Sequence, residues 1–140
     1  MWESFNEELD FQSAGAAGGR NYGWSCMAGT HCNGNSVCVC SSPALRPPLH
    51  EYPADARGQA IIGGFVYRGA AIPDLRGTYF FADFSRRELW SLRRSGNAVS
   101  QLTNRTAELT PAPPHVLIGP SGFGEDAYGE IYVCDMFGKL

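Results

Sequence analysis

Short apolar stretches separated by glycine, proline and polar residues run along most of the chain, and no window shows a sustained helical period. Four such stretches follow one another: AIIGGFVYRG, TYFFADF, ELWSLRR and AVSQLT. Each has the length of a strand and is followed by a short link such as SGN. The pattern predicts an antiparallel meander of four strands from about Ala60 to Thr103. The paired glycines in the first strand are expected where a neighbouring backbone passes close by.

The second of these stretches has an echo later in the chain. GTYFFADF and GEIYVCDM both run from a glycine through an apolar stretch to an aspartate, so that Asp83 corresponds to Asp135. Repeats of about 40 to 50 residues, each a four-stranded sheet, are typical of β-propeller blades. We expect both aspartates to accept hydrogen bonds from backbone amides of the following turn. The echo therefore predicts an all-β fold with matching strands in successive blades.

The strand that carries Asp135 is predicted to pair with the segment before it. GFGE and EIYVCD flank the turn DAYG, and this places three acidic residues close together, Glu125, Asp126 and Glu130. The acidic spacing differs from the alternating pattern of an EF-hand loop. We interpret the segment as a β-turn whose acids face solvent.

Composition narrows the classes of partner. The chain has 140 residues, which fits about one domain, and a formal net charge of −3. Nucleic-acid binding requires a basic face, and the acidic total argues against it although four arginines cluster between residues 86 and 94. No apolar run approaches the roughly 20 residues of a membrane-spanning helix. We therefore expect neither nucleic acid nor a membrane span.

Four of the five cysteines lie close together: Cys26, Cys32, Cys38 and Cys40. Structural zinc sites usually contain pairs with the spacing C-x₂-C, and these cysteines lack it. A surface loop tied by disulfides is favoured over a metal site, with three possible pairings, and it would indicate an oxidising compartment. Cys134 stands apart in an apolar pattern and is predicted to be a buried free thiol.

Three phrases in order along the chain resemble one family, the soluble quinoprotein glucose/sorbosone dehydrogenases. They are EELDF followed by GGRNYGW, then IIGGFVYRGAAIPDLRGTYFFADFSRRELW, and finally GFGEDAYGEIYVCD. The resemblance implies a fragment of a six-bladed β-propeller, about two blades of antiparallel four-stranded sheets from its C-terminal part. Residues 1–25 would end a preceding blade, 26–59 form a cysteine- and proline-rich loop, 60–103 a complete blade, 104–118 a connector and 119–140 the start of the next blade.

The resemblance also implies a function for a full-length parent. Such proteins oxidise a sugar hydroxyl at pyrroloquinoline quinone (PQQ), with calcium supporting the cofactor or the fold. The expected partners are a sugar or another small polyol and the remaining propeller blades. The resemblance and the cysteine loop together imply an extracellular or periplasmic location. The alternative is a non-catalytic secreted propeller that binds carbohydrate or protein through its loops.

Few site residues transfer from the family to this chain. The catalytic histidine lies in an early blade, so none of the histidines here inherits its role and no catalytic residue is assigned. Arg86 is a candidate partner for a cofactor carboxylate, against the alternative of a solvated turn. Glu8 and Tyr22 match family positions that share a calcium ion, through the carboxylate of the first and the backbone carbonyl of the second. The alternatives are that Glu8 is an exposed strand residue and that Tyr22 is simply packed. The segment IGPSGFG lacks the basic pair of the family. We expect the isolated chain to be inactive.

Overall fold

The computed structural model describes residues 6–34, 37–53 and 60–138. These ranges are nearly all β and form antiparallel sheets, as in propeller blades. The chain divides into two compact units, Met1–Ala56 and Arg57–Leu140. Within the described ranges, no helix has both the length and the apolar character needed to cross a membrane. The all-β fold class predicted from the sequence is confirmed.

The described residues of the first unit form four short strands: β1 (Glu7–Leu9), β2 (Met27–Ala28), β3 (His31–Cys32) and β4 (His50–Tyr52). Strand β1 pairs antiparallel with β4, with Leu9 opposite His50, and β2 pairs antiparallel with β3. Leu9 is buried, and its carbonyl also accepts the N–H of Leu49 at 2.7 Å. The segment around β1 is thus a strand, although its sequence is too short to carry a clear period.

The second unit is centred on a four-stranded sheet: β5 (Ile61–Val66), β6 (Tyr79–Asp83), β7 (Glu88–Ser95) and β8 (Ala98–Asn104). The strands are adjacent in chain order, and every neighbouring pair is antiparallel. This confirms the predicted meander. A central strand covered on both faces needs apolar side chains on both, and in β6 Phe81 and Ala82 are almost wholly buried.

A hairpin follows the sheet and consists of β9 (Pro120–Glu125) and β10 (Ile131–Asp135). Its turn is closed by the N–H of Gly129 donating to the carbonyl of Asp126 at 3.0 Å, as DAYG predicts. Strand β9 packs against β5. A Cβ on Gly64 of β5 would lie 3.0 Å from the ring of Phe123 and would also strike the carbonyl of Phe80. The glycine therefore marks a close approach, as expected from the sequence.

Two short helices in the connecting segments were not predicted. A 3-10 helix spans Pro73–Leu75, and α1 spans Thr106–Leu109. Helices this short cannot display a hydrophobic period, so the sequence pattern carries no sign of them. Tertiary contacts hold α1 in place, because the Thr106 hydroxyl accepts the N–H of Leu89 at 2.9 Å. The Arg105 guanidinium beside it donates to the buried Ser91 hydroxyl at 2.9 Å.

Candidate functional site

The two aspartates of the sequence echo end their strands and accept backbone hydrogen bonds. Asp83 is 1% exposed, and its Oδ1 accepts the N–H of Arg86 at 2.8 Å. Asp135 Oδ2 accepts the N–H groups of Ile118 and Gly119 at 2.7 and 2.8 Å. Its other oxygen accepts the N–H of Phe137 at 2.8 Å. The bonds to the N–H groups of Arg86 and Phe137 confirm the role predicted for the two aspartates, and those of Asp135 to Ile118 and Gly119 add a contact with the segment before β9.

Another carboxylate, that of Glu130, joins the hairpin to the loop that follows β5. Glu130 accepts the Tyr67 hydroxyl at 2.8 Å and the N–H groups of Ala70 and Ala71, both at 3.0 Å. Gly69 lies so close to this carboxylate that a Cβ there would collide with it. We call this arrangement of Tyr67, residues 69–71 and Glu130 the Glu130 clamp. It ties together residues about sixty positions apart, and it sits within two of the phrases that carry the family resemblance.

The remaining acids of the turn also have protein partners. Asp126 Oδ1 accepts the N–H groups of Tyr128 and Glu130 at 2.8 and 3.0 Å, and its Oδ2 accepts the Tyr132 hydroxyl at 3.1 Å. Glu125 forms an ion pair with Arg68 at 3.0 Å. The β-turn is confirmed and Glu125 is exposed as interpreted, whereas Asp126 and Glu130 are half-buried and all three acids have protein partners. The neighbouring loop and the turn amides supply hydrogen-bond donors that the local sequence does not reveal.

Ionisation of these groups follows from the hydrogen bonds. The N–H of Ala71 and then the Tyr67 hydroxyl stabilise the Glu130 carboxylate and lower its pKa. The N–H of Glu130 does the same for Asp126, whose pKa is also lowered. Burial, followed by the bond to Glu130, raises the pKa of Tyr67. Both carboxylates are therefore held in the charged form, which accepts hydrogen bonds but cannot donate a proton as a general acid.

A cleft of about 340 Å³ lies between the hairpin and the sheet. Its apolar lining includes Phe80 and Leu89 from the sheet and Ile131 and Val133 from β10. The two carboxylates in its wall, Glu130 and Asp135, are those already bonded to backbone amides. An apolar pocket with a few convergent polar groups is the usual form of a ligand site. Here Glu130 and Asp135 accept hydrogen bonds from backbone amides, so the cleft offers a ligand mainly apolar surface.

The cofactor candidate Arg86 does not lie in a solvated turn. Its side chain is 15% exposed, and its Nε lies 3.9 Å from Oδ2 of Asp83. A guanidinium that binds a cofactor carboxylate must present its donors to an open site. The side chain is instead directed to a carboxylate of its own strand end. Arg86 therefore fits a role in binding PQQ poorly, and no step of a reaction is assigned to it.

The calcium candidates lie in the first unit. Glu8 is a half-buried residue of β1, and its Oε2 accepts the N–H of Gly29 at 2.8 Å. The Tyr22 hydroxyl donates to the carbonyl of Phe11 at 2.8 Å. Burial and then the charge of Asp10 raise the pKa of Glu8. In the described ranges, no group of three or more acidic, histidine or cysteine side chains is arranged to hold a metal ion. A shared calcium ion would thus need carbonyl oxygens in addition to the carboxylate of Glu8.

The cysteine-rich segment contains two disulfides, in agreement with the disulfide interpretation. Cys26 pairs with Cys38 and Cys32 with Cys40, with Cα atoms 5.3 and 5.7 Å apart. The bonds are compatible with an extracellular location. Cys134 is a free thiol, but it is half-buried rather than buried as expected. It lies in β10, which pairs with β9, two residues after the exposed Tyr132.

Comparison with known proteins supports the fold. No family model matches the chain. The crystal structure of a glucose dehydrogenase is similar to it, with a TM-score of 0.59 and 19% sequence identity. The match covers 91% of this chain and 34% of the glucose dehydrogenase, so the chain spans about a third of that protein's length. The fold is therefore sugar dehydrogenase-like, and at this identity the likeness concerns the fold alone.

Proposed function

We propose that the chain forms part of a PQQ-dependent sugar dehydrogenase-like propeller that oxidises a sugar hydroxyl. The observation that carries the proposal is the Glu130 clamp. It joins two of the three phrases that resemble the quinoprotein family, and it lies in a fold similar to that of a glucose dehydrogenase. When bound, the quinone would supply the redox chemistry. The part played by the described residues is to hold a sheet and the following hairpin in fixed positions.

The arrangement of the histidines supports a scaffolding role for this region. His31 and His50 lie in strands of the first unit, and His115 lies beside the cleft in the second unit. Burial lowers the pKa of His50. A catalytic base needs a substrate position within hydrogen-bond reach. The cleft near His115 is mainly apolar and its two carboxylates already accept backbone hydrogen bonds, so it offers few groups to orient a sugar hydroxyl, and we expect the base to come from another part of the propeller.

A dye-reduction assay tests the proposal. A longer polypeptide that contains this chain, supplied with PQQ and calcium, should reduce an electron-accepting dye in the presence of aldoses. The isolated 140-residue chain under the same conditions should not. The matched variant Glu130→Ala in the longer polypeptide should lower thermal stability while leaving KM for the sugar unchanged, because Glu130 holds backbone rather than substrate. No sugar-dependent reduction by the longer polypeptide would contradict the proposal.

One observation favours a second function, a secreted module that binds carbohydrate or protein. Val37 and Val39 are 84% and 67% exposed on the disulfide-tied segment, and Trp24 beside it is 75% exposed. Apolar side chains presented on a braced loop are typical of interaction surfaces. A glycan array and a pull-down with the whole chain would detect such binding. Val37→Ser with Val39→Ser should abolish it, and the control Val116→Ser in the second unit should not.

A further inference from the structure

The outer edge of β10 differs from the matching edge of the sheet. In the four-stranded sheet, β6 pairs with β5 on one side and with β7 on the other. In the part of the chain that the structure describes, β10 pairs with β9 alone. A strand edge of this kind presents N–H and C=O groups that can accept another strand.

Hydrogen bonds extend the match between the two hairpins to individual residues. The N–H of Phe84, directly after Asp83, donates to the carbonyl of Ala60 at 2.9 Å. The N–H of Met136, directly after Asp135, donates to the carbonyl of Gly119 at 2.8 Å. Strand β10 therefore occupies the same place in its hairpin as β6 does, and Val133 corresponds to Phe81.

The direction of the backbone groups follows from the turn. The N–H of Asp126 donates to the carbonyl of Glu130 at 3.1 Å. In an antiparallel pair, hydrogen-bonded and non-hydrogen-bonded residue pairs alternate. Glu130 and Tyr132 thus direct their backbone groups to β9, while Ile131 and Val133 direct theirs to the opposite edge. This is the edge at which Phe81 of β6 pairs with Trp90 of β7.

The cleft lies beside this edge and would receive the side chains of an added strand. Ile131 and Val133 line the cleft from β10, and Phe80 and Leu89 line it from the sheet. Residues directly opposite each other in an antiparallel pair project to the same face. In the sheet, large apolar residues of β7 stand opposite the counterparts of these positions, with Leu92 opposite Tyr79 and Trp90 opposite Phe81. An added strand with the same pattern would place two apolar side chains in the cleft.

We propose that the outer edge of β10 binds an extended segment with the pattern of β7, antiparallel to β10, with its large apolar residues in the cleft. The interface continues the one already formed between β9 and β5. A second copy of β10 is a poorer occupant, because antiparallel pairing centred on Val133 would set Ile131 opposite Asp135. The inference rests on the repeat within this chain and does not require any catalytic activity.

A peptide that copies residues 87–95, with both termini blocked and a fluorescent label, tests the proposal with the whole chain as its target. We expect saturable binding by fluorescence anisotropy. The control peptide carries serine at the positions of Trp90 and Leu92 and should bind at least about tenfold more weakly, since burial of these side chains drives the association. Bound peptide should slow amide hydrogen exchange at Val133 and leave that at Phe84 unchanged.

Two variants of the chain sharpen the test. Val133→Pro removes an outward N–H without removing a hydrogen bond to β9, and it should abolish binding. Val133→Ser keeps the N–H and should weaken binding by removing a cleft contact, so it serves if the proline variant fails to fold. Equal binding of both peptides, or unchanged exchange at Val133, would overturn the proposal. Exchange slowed by raising the protein concentration without peptide would also overturn it, because a second copy would then be the occupant.

Discussion

Replacement of Asp83 by alanine removes a carboxylate at the end of the most buried strand of the sheet. Asp83 is 1% exposed, accepts the N–H of Arg86 at 2.8 Å and lies 3.9 Å from the guanidinium of the same residue. The substitution therefore affects both the backbone turn and a largely buried charge. It separates a structural role of Arg86 from the cofactor role considered from the sequence.

The size of the effect follows from these contacts. A hydrogen bond to a charged group contributes about 1.5–3 kcal/mol, and removal of one partner of a buried ion pair costs about 3–5 kcal/mol. Because Arg86 Nε and Asp83 Oδ2 are 3.9 Å apart, the loss should fall at the lower end of the ion-pair range. We therefore expect Asp83→Ala to lower the free energy of unfolding by about 3 kcal/mol. Asp83→Asn retains an acceptor for the Arg86 N–H and should cost about 1 kcal/mol.

Urea unfolding, followed by fluorescence of Trp90 in a background with Trp2→Phe and Trp24→Phe, measures this change in the second unit. Asp74→Ala is the matched control, because its side chain is exposed and the change should stay within about 0.5 kcal/mol. The pair Asp83→Ala and Arg86→Ala should show a coupling energy of about 1 kcal/mol or more. A loss for Asp83→Ala no larger than that of the control would refute the reasoning.

Three further outcomes are expected. The pKa of Glu130 is lowered from 4.5, so the charged clamp stabilises the fold fully above about pH 4.5. This contribution is lost as the pH falls through the lower pKa of the folded state. In urea unfolding measured at several pH values, Glu130→Gln should therefore lose less stability than the native chain on the acid side. Calcium should raise the melting temperature of the native chain and leave Glu8→Gln unaffected, with a gain of about 2.7 kcal/mol at a hundredfold excess over Kd. A thiol reagent should find one reactive cysteine, Cys134, in the unreduced chain and five after denaturation and reduction.

Each of these outcomes has a clear contrary result. An acid limb of unchanged slope in Glu130→Gln would mean that the clamp does not contribute its charge to folding. Equal stabilisation of both proteins by calcium would place the ion away from Glu8. More than one reactive thiol before reduction would contradict the disulfides of the first unit, and a control with Cys134→Ser should give none.

The blade itself could be predicted from local sequence. Strand β6 is apolar on both faces and ends in an aspartate, β7 alternates, and the Gly96 turn joins it to β8, so the meander and its order follow from patterns a few residues long. The bonds from Asp83 to the Arg86 N–H and from Asp135 to the Phe137 N–H follow in the same way, because an aspartate readily accepts bonds from amides within a few residues of itself. Short helices such as α1 could not be predicted in this way, because they depend on contacts to β7.

The candidate site divides along the same physical line. The sequence by itself determined the fold class, the echo of Asp83 and Asp135 and the disulfide-tied cysteine loop, because each depends on the pattern of residues that are close together in the sequence. Only the tertiary structure decided that Glu130 bonds to Tyr67 and that Asp135 accepts the N–H groups of Ile118 and Gly119. It also decided that the outer edge of β10 lies beside an apolar cleft. These features depend on which segments meet after the chain has folded, and the charge or polarity of a single residue does not specify its partner.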